Sequence, residues 1–268
     1  MGEAARIVDR IDTAPRFTAA DVDVLNARFA EADASAILRA VITERISGDA
    51  AIVSSFGAES AVLLDLAAKI DPAVPVLFLE TGKHFAETLE YRDLLTERLG
   101  LTDVRSLTPD PDALAERDES GLRWSYDPDG CCAIRKVAPL AKALTEFDAS
   151  IAGRKAFQSA SRADLPVFEL DTADDVGRLK VNPLIGWSRE DLQAYIDEHG
   201  LPRHPLIDQG FPSIGCSPCT SKVSEGDDER SGRWRGWDKT ECGIHAPASK
   251  VPGLDNGDDT PPGFDPVF

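Results

Sequence analysis

Between residues 18 and 47, apolar side chains recur every three or four positions, at Val24, Leu25, Phe29, Ile37, Leu38, Val41 and Ile42, with a polar break from Asp33 to Ser35. That period predicts two helices. At Ala50 the pattern changes. AAIVSSF (Ala50 to Phe56) is a short β-branched run ending in small residues, and AESAVLLDLAAKI after it has helical spacing and good helix formers. PVLFLE (Pro75 to Glu80) predicts a second strand, TGK a turn, and HFAETLEYRDLLTERLG a helix that closes on Gly100. Further strands are predicted at DVRSL (Asp103 to Leu107), ASIAG (Ala149 to Gly153), VFELD and LKVNPL. Helices are predicted over KVAPLAKALTEF and over SREDLQAYIDEHG, the second opened by a Ser188 and Asp191 capping box.

Strands that are apolar on both faces and alternate with helices predict an α/β fold, a mostly parallel sheet sandwiched by helices. From Leu201 onward Pro, Gly, Ser and charge dominate, and after Cys242 nothing periodic remains, so a mobile C-terminal tail is expected.

Composition narrows the function. The 268 residues carry a formal charge of -18, which argues against a nucleic-acid partner. No stretch approaches the roughly 18 unbroken apolar residues of a membrane span. The opening MGEAARIVDR lacks a basic region followed by an apolar run, so a cytoplasmic location is expected. In so acidic a chain, where the few cations cluster tells more than their number.

Two stretches at expected strand ends offer anion chemistry. SSFGAES (Ser54 to Ser60) supplies serine hydroxyls, a glycine and backbone N–H groups at a helix N-terminus, which suit a phosphate or sulfate. LETGK (Leu79 to Lys83) lies at the same end of the next strand, where a doubly wound sheet places its ligand crevice. AGRKAFQSASR (Ala152 to Arg162) then brings Arg154, Lys155 and Arg162 to the end of the fourth strand, again suggesting recognition of an anion.

Five cysteines remain to be explained. Cys131 and Cys132 are adjacent, and Cys216 with Cys219 forms a CxxC. Two such pairs point to a four-thiolate metal site, either structural zinc or an iron-sulfur cluster, with the adjacent pair favouring the cluster. Cys242 is left over as a candidate nucleophile, with His245 able to lower its pKa and Glu241 to raise it. A Cys242 adduct to sulfur would leave no free thiol to resolve it, so an external dithiol protein is implied.

These residues resemble a known family, the assimilatory adenylyl-sulfate (APS) and phosphoadenylyl-sulfate (PAPS) reductases, and within it the iron-sulfur branch. SSFGAES is similar to the family's modified pyrophosphatase-type loop, LETG to its second nucleotide motif, CC with CxxC to its 4Fe-4S ligands, and KTECGIH to its signature tail. The resemblance implies an adenine nucleotide α-hydrolase-like (PP-loop-like) fold. Ser54, Ser55, Phe56, Gly57, Glu59, Ser60, Leu79, Thr81, Gly82, Arg154 and Arg162 would then bind substrate, and Cys131, Cys132, Cys216 and Cys219 would hold the 4Fe-4S cluster. It implies attack of Cys242 on the sulfate sulfur of APS, departure of AMP, and release of sulfite by thioredoxin or glutaredoxin. By the same resemblance Lys136 bridges cluster and substrate, Arg230 and Arg233 grip the phosphosulfate, and His245 belongs to the catalytic tail.

On this reading residues 1–48 form a helical segment packed on the core, 49–225 the nucleotide-binding reductase domain, and 226–268 the catalytic tail; homo-oligomer formation is left open. The chain departs from the ATP pyrophosphatase loop SGGxDS at Phe56 and Glu59, and from the family's GRRRDQS at Ala156 and Phe157. Competing readings are a PAPS reductase of the same fold, a zinc-stabilised nucleotide-binding protein without redox chemistry, and an ATP-dependent adenylating enzyme, which the missing SGGxDS disfavours.

Overall fold

The computed structural model describes residues 15–172, 176–224, 226–239, 241 and 243–244. The two N-terminal helices fall where the period places them, as α1 (Ala19–Arg28) and α2 (Ala34–Ile42). Each opens on a side-chain cap. Thr18 and Asp21 form a reciprocal capping box, and Asp33 Oδ1 accepts from the Ala36 N–H at 2.7 Å. Helix α2 buries Ile37, Leu38 and Val41. Helix α1 buries nothing fully, and its Asn26 instead exchanges two hydrogen bonds, at 2.8 and 2.9 Å, with the backbone of Phe168.

Among the described residues six strands form one sheet: β1 (Ala50–Ser54), β2 (Val76–Leu79), β3 (Val104–Leu107), β4 (Ala149–Ala152), β5 (Phe168–Leu170) and β6 (Leu179–Val181). The order is β3-β2-β1-β4-β6-β5, parallel throughout except for the edge strand β5. Every strand lies within a stretch where the apolar pattern predicts one. Strands β1 to β3 advance towards one edge and β4 starts on the other side of β1, so the order reverses between β1 and β4. A doubly wound sheet opens a crevice at such a point, beyond the strand carboxyl ends.

Helices cover both faces. Alternate residues of β1 show it: Ile52 joins Val76, Phe78, Ile151 and Val181 under α2, α3 (Ser60–Ala68), α4 (Ala86–Leu99) and the helix Arg189–Glu198. Its neighbour Ala51 points the other way and joins Leu77, Leu79, Leu140, Leu144 and Phe147. Gly100 closes α4 at a φ of 66°, a left-handed cap that a β-carbon would strain.

The helix expected from Lys136 begins earlier. A short helix α5 (Pro111–Arg117), which the apolar pattern does not reveal, opens with Pro111 in its first turn on an Asp110 cap. Then α6 (Pro128–Cys132) runs through a π-helical turn (Ala133–Val137) into α7 (Ala138–Leu144). Asp127 starts this path by accepting from the Gly130 N–H at 2.8 Å. The Cys131–Cys132 pair therefore sits in a helix rather than in a loop before one. Helix α8 (Arg189–Glu198) carries the expected capping box, with the Ser188 hydroxyl 3.1 Å from the Asp191 N–H. Among the described residues, no helix is long and apolar enough to cross a membrane.

Candidate active site

A cavity of about 270 Å³ opens at the carboxyl ends of β1 and β4. One wall is the turn between β1 and α3, contributing Ser54, Ser55, Gly57, Glu59 and Ser60, and Leu79 closes it from the end of β2. Phe56, in the middle of that turn, does not line it. Its φ of 47° is left-handed and its ring is fully buried, edge-on to Phe78 at 5.5 Å. The turn thus anchors itself in the core with one aromatic side chain while its small residues border the cavity. Thr81 and Gly82 also lie off the cavity wall. Thr81 is buried with its hydroxyl 3.3 Å from Cys216 Sγ, and Gly82 makes a left-handed turn, its N–H donating to Glu80 Oε1 at 3.0 Å.

The expected cations converge here, and most come with carboxylate partners. Arg154 Nε donates to Asn182 Oδ1 at 2.9 Å and the guanidinium pairs with Glu169. Burial, helped by the nearby Arg162 charge, pushes the Arg154 pKa down to about 10. Lys155 is buried deeper still, and its Nζ meets Glu59 at 2.6 Å and the Gly153 carbonyl at 3.0 Å. Burial holds this lysine below its usual range, with Glu59 opposing. Gln158 Nε2 also donates to Glu59, at 2.7 Å, so Glu59 fastens the β1 turn to the loop after β4.

From the C-terminal side come Arg230, Arg233 and Trp234. The Arg233 guanidinium lies 4.5 Å from the centroid of the Trp234 ring, and its Nε is buried with no hydrogen-bond partner among the described residues. It reaches this position across Gly215, where any β-carbon would overlap the guanidinium. Glu241 and Ile244 complete the wall, Ile244 packing against Ala133 and Val137. The tail is therefore docked on the cavity at these two residues. Cys242 and His245 lie outside the described residues.

A second, smaller cavity lies beside the first and is lined by all four remaining cysteines, Cys131, Cys132, Cys216 and Cys219, together with Trp124, Arg135 and Lys136. Their thiols are free. Among the described residues no three ligating side chains are gathered closely enough for a single metal ion. Burial and the neighbouring Cys132 push the Cys131 thiol up to about 12. Burial likewise opposes ionisation of Cys216, yet Lys136, the Thr81 hydroxyl and Arg233 outweigh it and hold that thiol below its usual range. Cys219 is raised by burial and by Cys216, against Lys136, Arg233 and Lys239. Lys136 lines both cavities, a position its place four residues after Cys132 on the helix gives it.

Several residues of this centre escape a reading of motifs. Arg135 lies between Cys132 and Lys136 and pairs with Asp118, while Trp234 borders both cavities. Nothing local in the sequence marks Asp118, because its partner is 17 residues away.

A family model described as the phosphoadenosine phosphosulfate reductase domain matches residues 49–222. The chain belongs to this family. Relatives in it include a protein named adenosine 5'-phosphosulfate reductase from Mesorhizobium japonicum, 45% identical over 246 residues that cover 92% of this chain and 95% of that one. The protein of the same name from Chelativorans sp. is 47% identical, over 83% of this chain and 90% of its own. A crystal structure of phosphoadenylyl-sulfate (PAPS) reductase from Candida auris, as a phosphate complex, superposes with a TM-score of 0.63 at 26% identity, covering 77% of this chain and 98% of that one. The family thus accounts for the sheet with its crevice between β1 and β4, as the expected PP-loop-like architecture requires.

Proposed function

We propose that the chain is a thioredoxin-dependent adenylyl-sulfate reductase that converts APS to sulfite and AMP. The observation that carries this reading is the shared wall: Lys136 faces an arginine-lined cavity at the sheet's switch point on one side and four converging thiols on the other. The names of the relatives from Mesorhizobium japonicum and Chelativorans sp. support APS as the substrate.

The adenosine part enters the crevice bordered by Ser54, Ser55, Gly57 and Leu79, and the phosphosulfate meets Arg162, Arg230 and Arg233. A bidentate arginine suits such an anion, and Arg233 Nε has no hydrogen-bond partner among the described residues. The Cys242 thiolate attacks the sulfate sulfur, the bond from that sulfur to the bridging oxygen breaks, and AMP departs with the electron pair. The positive charges stabilise the negative charge that builds on the leaving phosphate. A thiolate of reduced thioredoxin or glutaredoxin then attacks the sulfur of Cys242, expelling sulfite. Its second thiol resolves the mixed disulfide, so the dithiol becomes a disulfide and supplies both electrons.

Cys131, Cys132, Cys216 and Cys219 would hold a 4Fe-4S cluster. The donor set fits: four free thiols, three of them buried, line one cavity together with Arg135 and Lys136. When bound, the group supplies structural cross-linking and a fixed charge beside Lys136. On this reading residues 49–225 form the nucleotide-binding domain, 226–268 the catalytic tail and 1–48 a helical segment packed on the core, and the reaction takes place in the cytoplasm.

The test is to incubate anaerobically purified protein with APS, and separately with PAPS, without thioredoxin, and to examine the Cys242 peptide by mass spectrometry. A sulfonate adduct from APS that vanishes on adding reduced thioredoxin is expected. An adduct from PAPS alone would transfer the proposal to that substrate, and no adduct from either, in protein that keeps its metal, would overturn it.

A further inference from the structure

The side chain that sits on the anion-binding arginines belongs to the chain itself. Arg162 Nε donates to one Glu241 carboxylate oxygen at 3.0 Å and Nη2 to the other at 2.9 Å. This is the parallel two-bond fork by which arginine takes a phosphate or a sulfate. Arg230 Nη2 lies 3.3 Å from Glu241 Oε2. The third Arg162 nitrogen is engaged too, Nη1 donating to Gln158 Oε1 at 2.6 Å. An incoming anion therefore finds the forked face of Arg162 filled. The pair is largely shielded, with 12% of the Arg162 side chain and 28% of the Glu241 side chain exposed, so screening by water and salt is reduced.

We infer that Glu241 is an internal competitor for the anion site, a positioning residue that the substrate's phosphosulfate displaces rather than joins. The inference rests on the reading of the cavity as the APS site. Charge favours the exchange, because a doubly charged phosphosulfate offers the guanidinium groups more negative charge than a single carboxylate does. A carboxylate that fills the site in the free chain lowers the apparent affinity by the fraction of time the site is blocked. A carboxylate that merely braces the arginines would do the opposite, since its removal would loosen them.

The two roles predict opposite signs, and AMP, which carries no transferable sulfur, separates them. Binding of AMP to the full chain is measured by calorimetry at fixed ionic strength, for the natural protein, Glu241→Gln and Glu241→Asp. The Gln variant keeps the shape and loses the charge, and the Asp variant keeps the charge on a shorter arm. Competition predicts tighter AMP binding by Glu241→Gln, by about fivefold for a site blocked some four-fifths of the time, with Glu241→Asp between the two. Equal or weaker binding by Glu241→Gln overturns the inference. If APS still yields the Cys242 adduct in that case, the reductase reading stands without it. Failure of every form to bind AMP, with no adduct from APS, removes both.

Discussion

Arg135 and Asp118 form a buried ion pair: the guanidinium Nε and Nη2 lie 3.0 and 2.5 Å from Asp118 Oδ2. The remaining nitrogen donates to the Thr81 carbonyl at 2.7 Å, and the Thr81 hydroxyl in turn lies 3.3 Å from the Cys216 sulfur. One guanidinium, held by Asp118, thus ties the helical path of Cys131 and Cys132 to the Thr81 loop beside Cys216. Removing one partner of such a pair leaves a bare buried charge, so Asp118→Ala is expected to lower stability by about 3–5 kcal/mol. Replacing both, as Asp118→Ala with Arg135→Met, should cost less than Asp118→Ala alone. Urea midpoints of the three variants measure both statements, and a double variant weaker than the single one would refute the account.

Four thiols that line one cavity predict, on the proposed reading, that they hold metal as a set. Cys216→Ser is expected to lose iron and acid-labile sulfide together, while Cys242→Ser retains both and fails only to form the sulfonate adduct. Elemental analysis and sulfide assay of the two purified variants decide between this and a metal that ignores Cys216.

Lys136 borders both cavities and its charge acts on Cys216. On the proposed mechanism Lys136→Met should lower kcat/KM for APS by roughly 10²–10³, the usual loss for one oriented charge at a reacting centre. Iron content should stay unchanged. A loss confined to KM would place Lys136 in binding rather than in stabilising the leaving group.

His204 supplies a pH effect remote from the chemistry. Its Nδ1 accepts from the Leu206 N–H at 3.2 Å and its Nε2 lies 3.1 Å from the Thr88 hydroxyl, an arrangement that needs the neutral ring. Burial pushes its pKa from 6.5 down to about 4. Because the folded pKa lies below the unfolded one, the unfolded chain binds more protons between them. The contribution is complete above pH 6.5 and is lost as pH falls towards about 4. His204→Asn should flatten that part of the stability-pH curve, which urea unfolding at several pH values would reveal; an unchanged slope would assign it to other groups.

The strands are legible in the sequence because each is a short apolar run bounded by turns, and β1, β2 and β4 are apolar on both faces. The start of the α6 path is not, because a proline-initiated helix on an Asp127 cap gives no apolar period before Cys131. Within the site, SSFGAES marks the turn, yet nothing in it says that Phe56 points into the core while its neighbours border the cavity. That follows from one left-handed residue and from Phe78 on another strand. The carboxylates that meet the cations are equally hidden. Glu59 meets Lys155 and also Gln158, the latter across 99 positions, and Glu241 meets Arg162 across 79, and only the fold brings such residues together.

The π-helical turn between α6 and α7 fixes one more property of the chain. There the Ala138 N–H reaches back five residues to the Ala133 carbonyl, so one residue more than a regular α-helix needs is stored in the turn. Each helical residue rotates the path by about 100°. Because the turn closes on one extra residue, deleting a single residue from it would return a regular α-helix and leave Cys131 and Cys132 close to their present phase relative to Leu140 and Leu144. A deletion before Leu140 in the regular turn of α7 would instead rotate the two cysteines by about 100° relative to the Leu140–Leu144 face, so the π turn is where this path can change length without scattering its sulfurs.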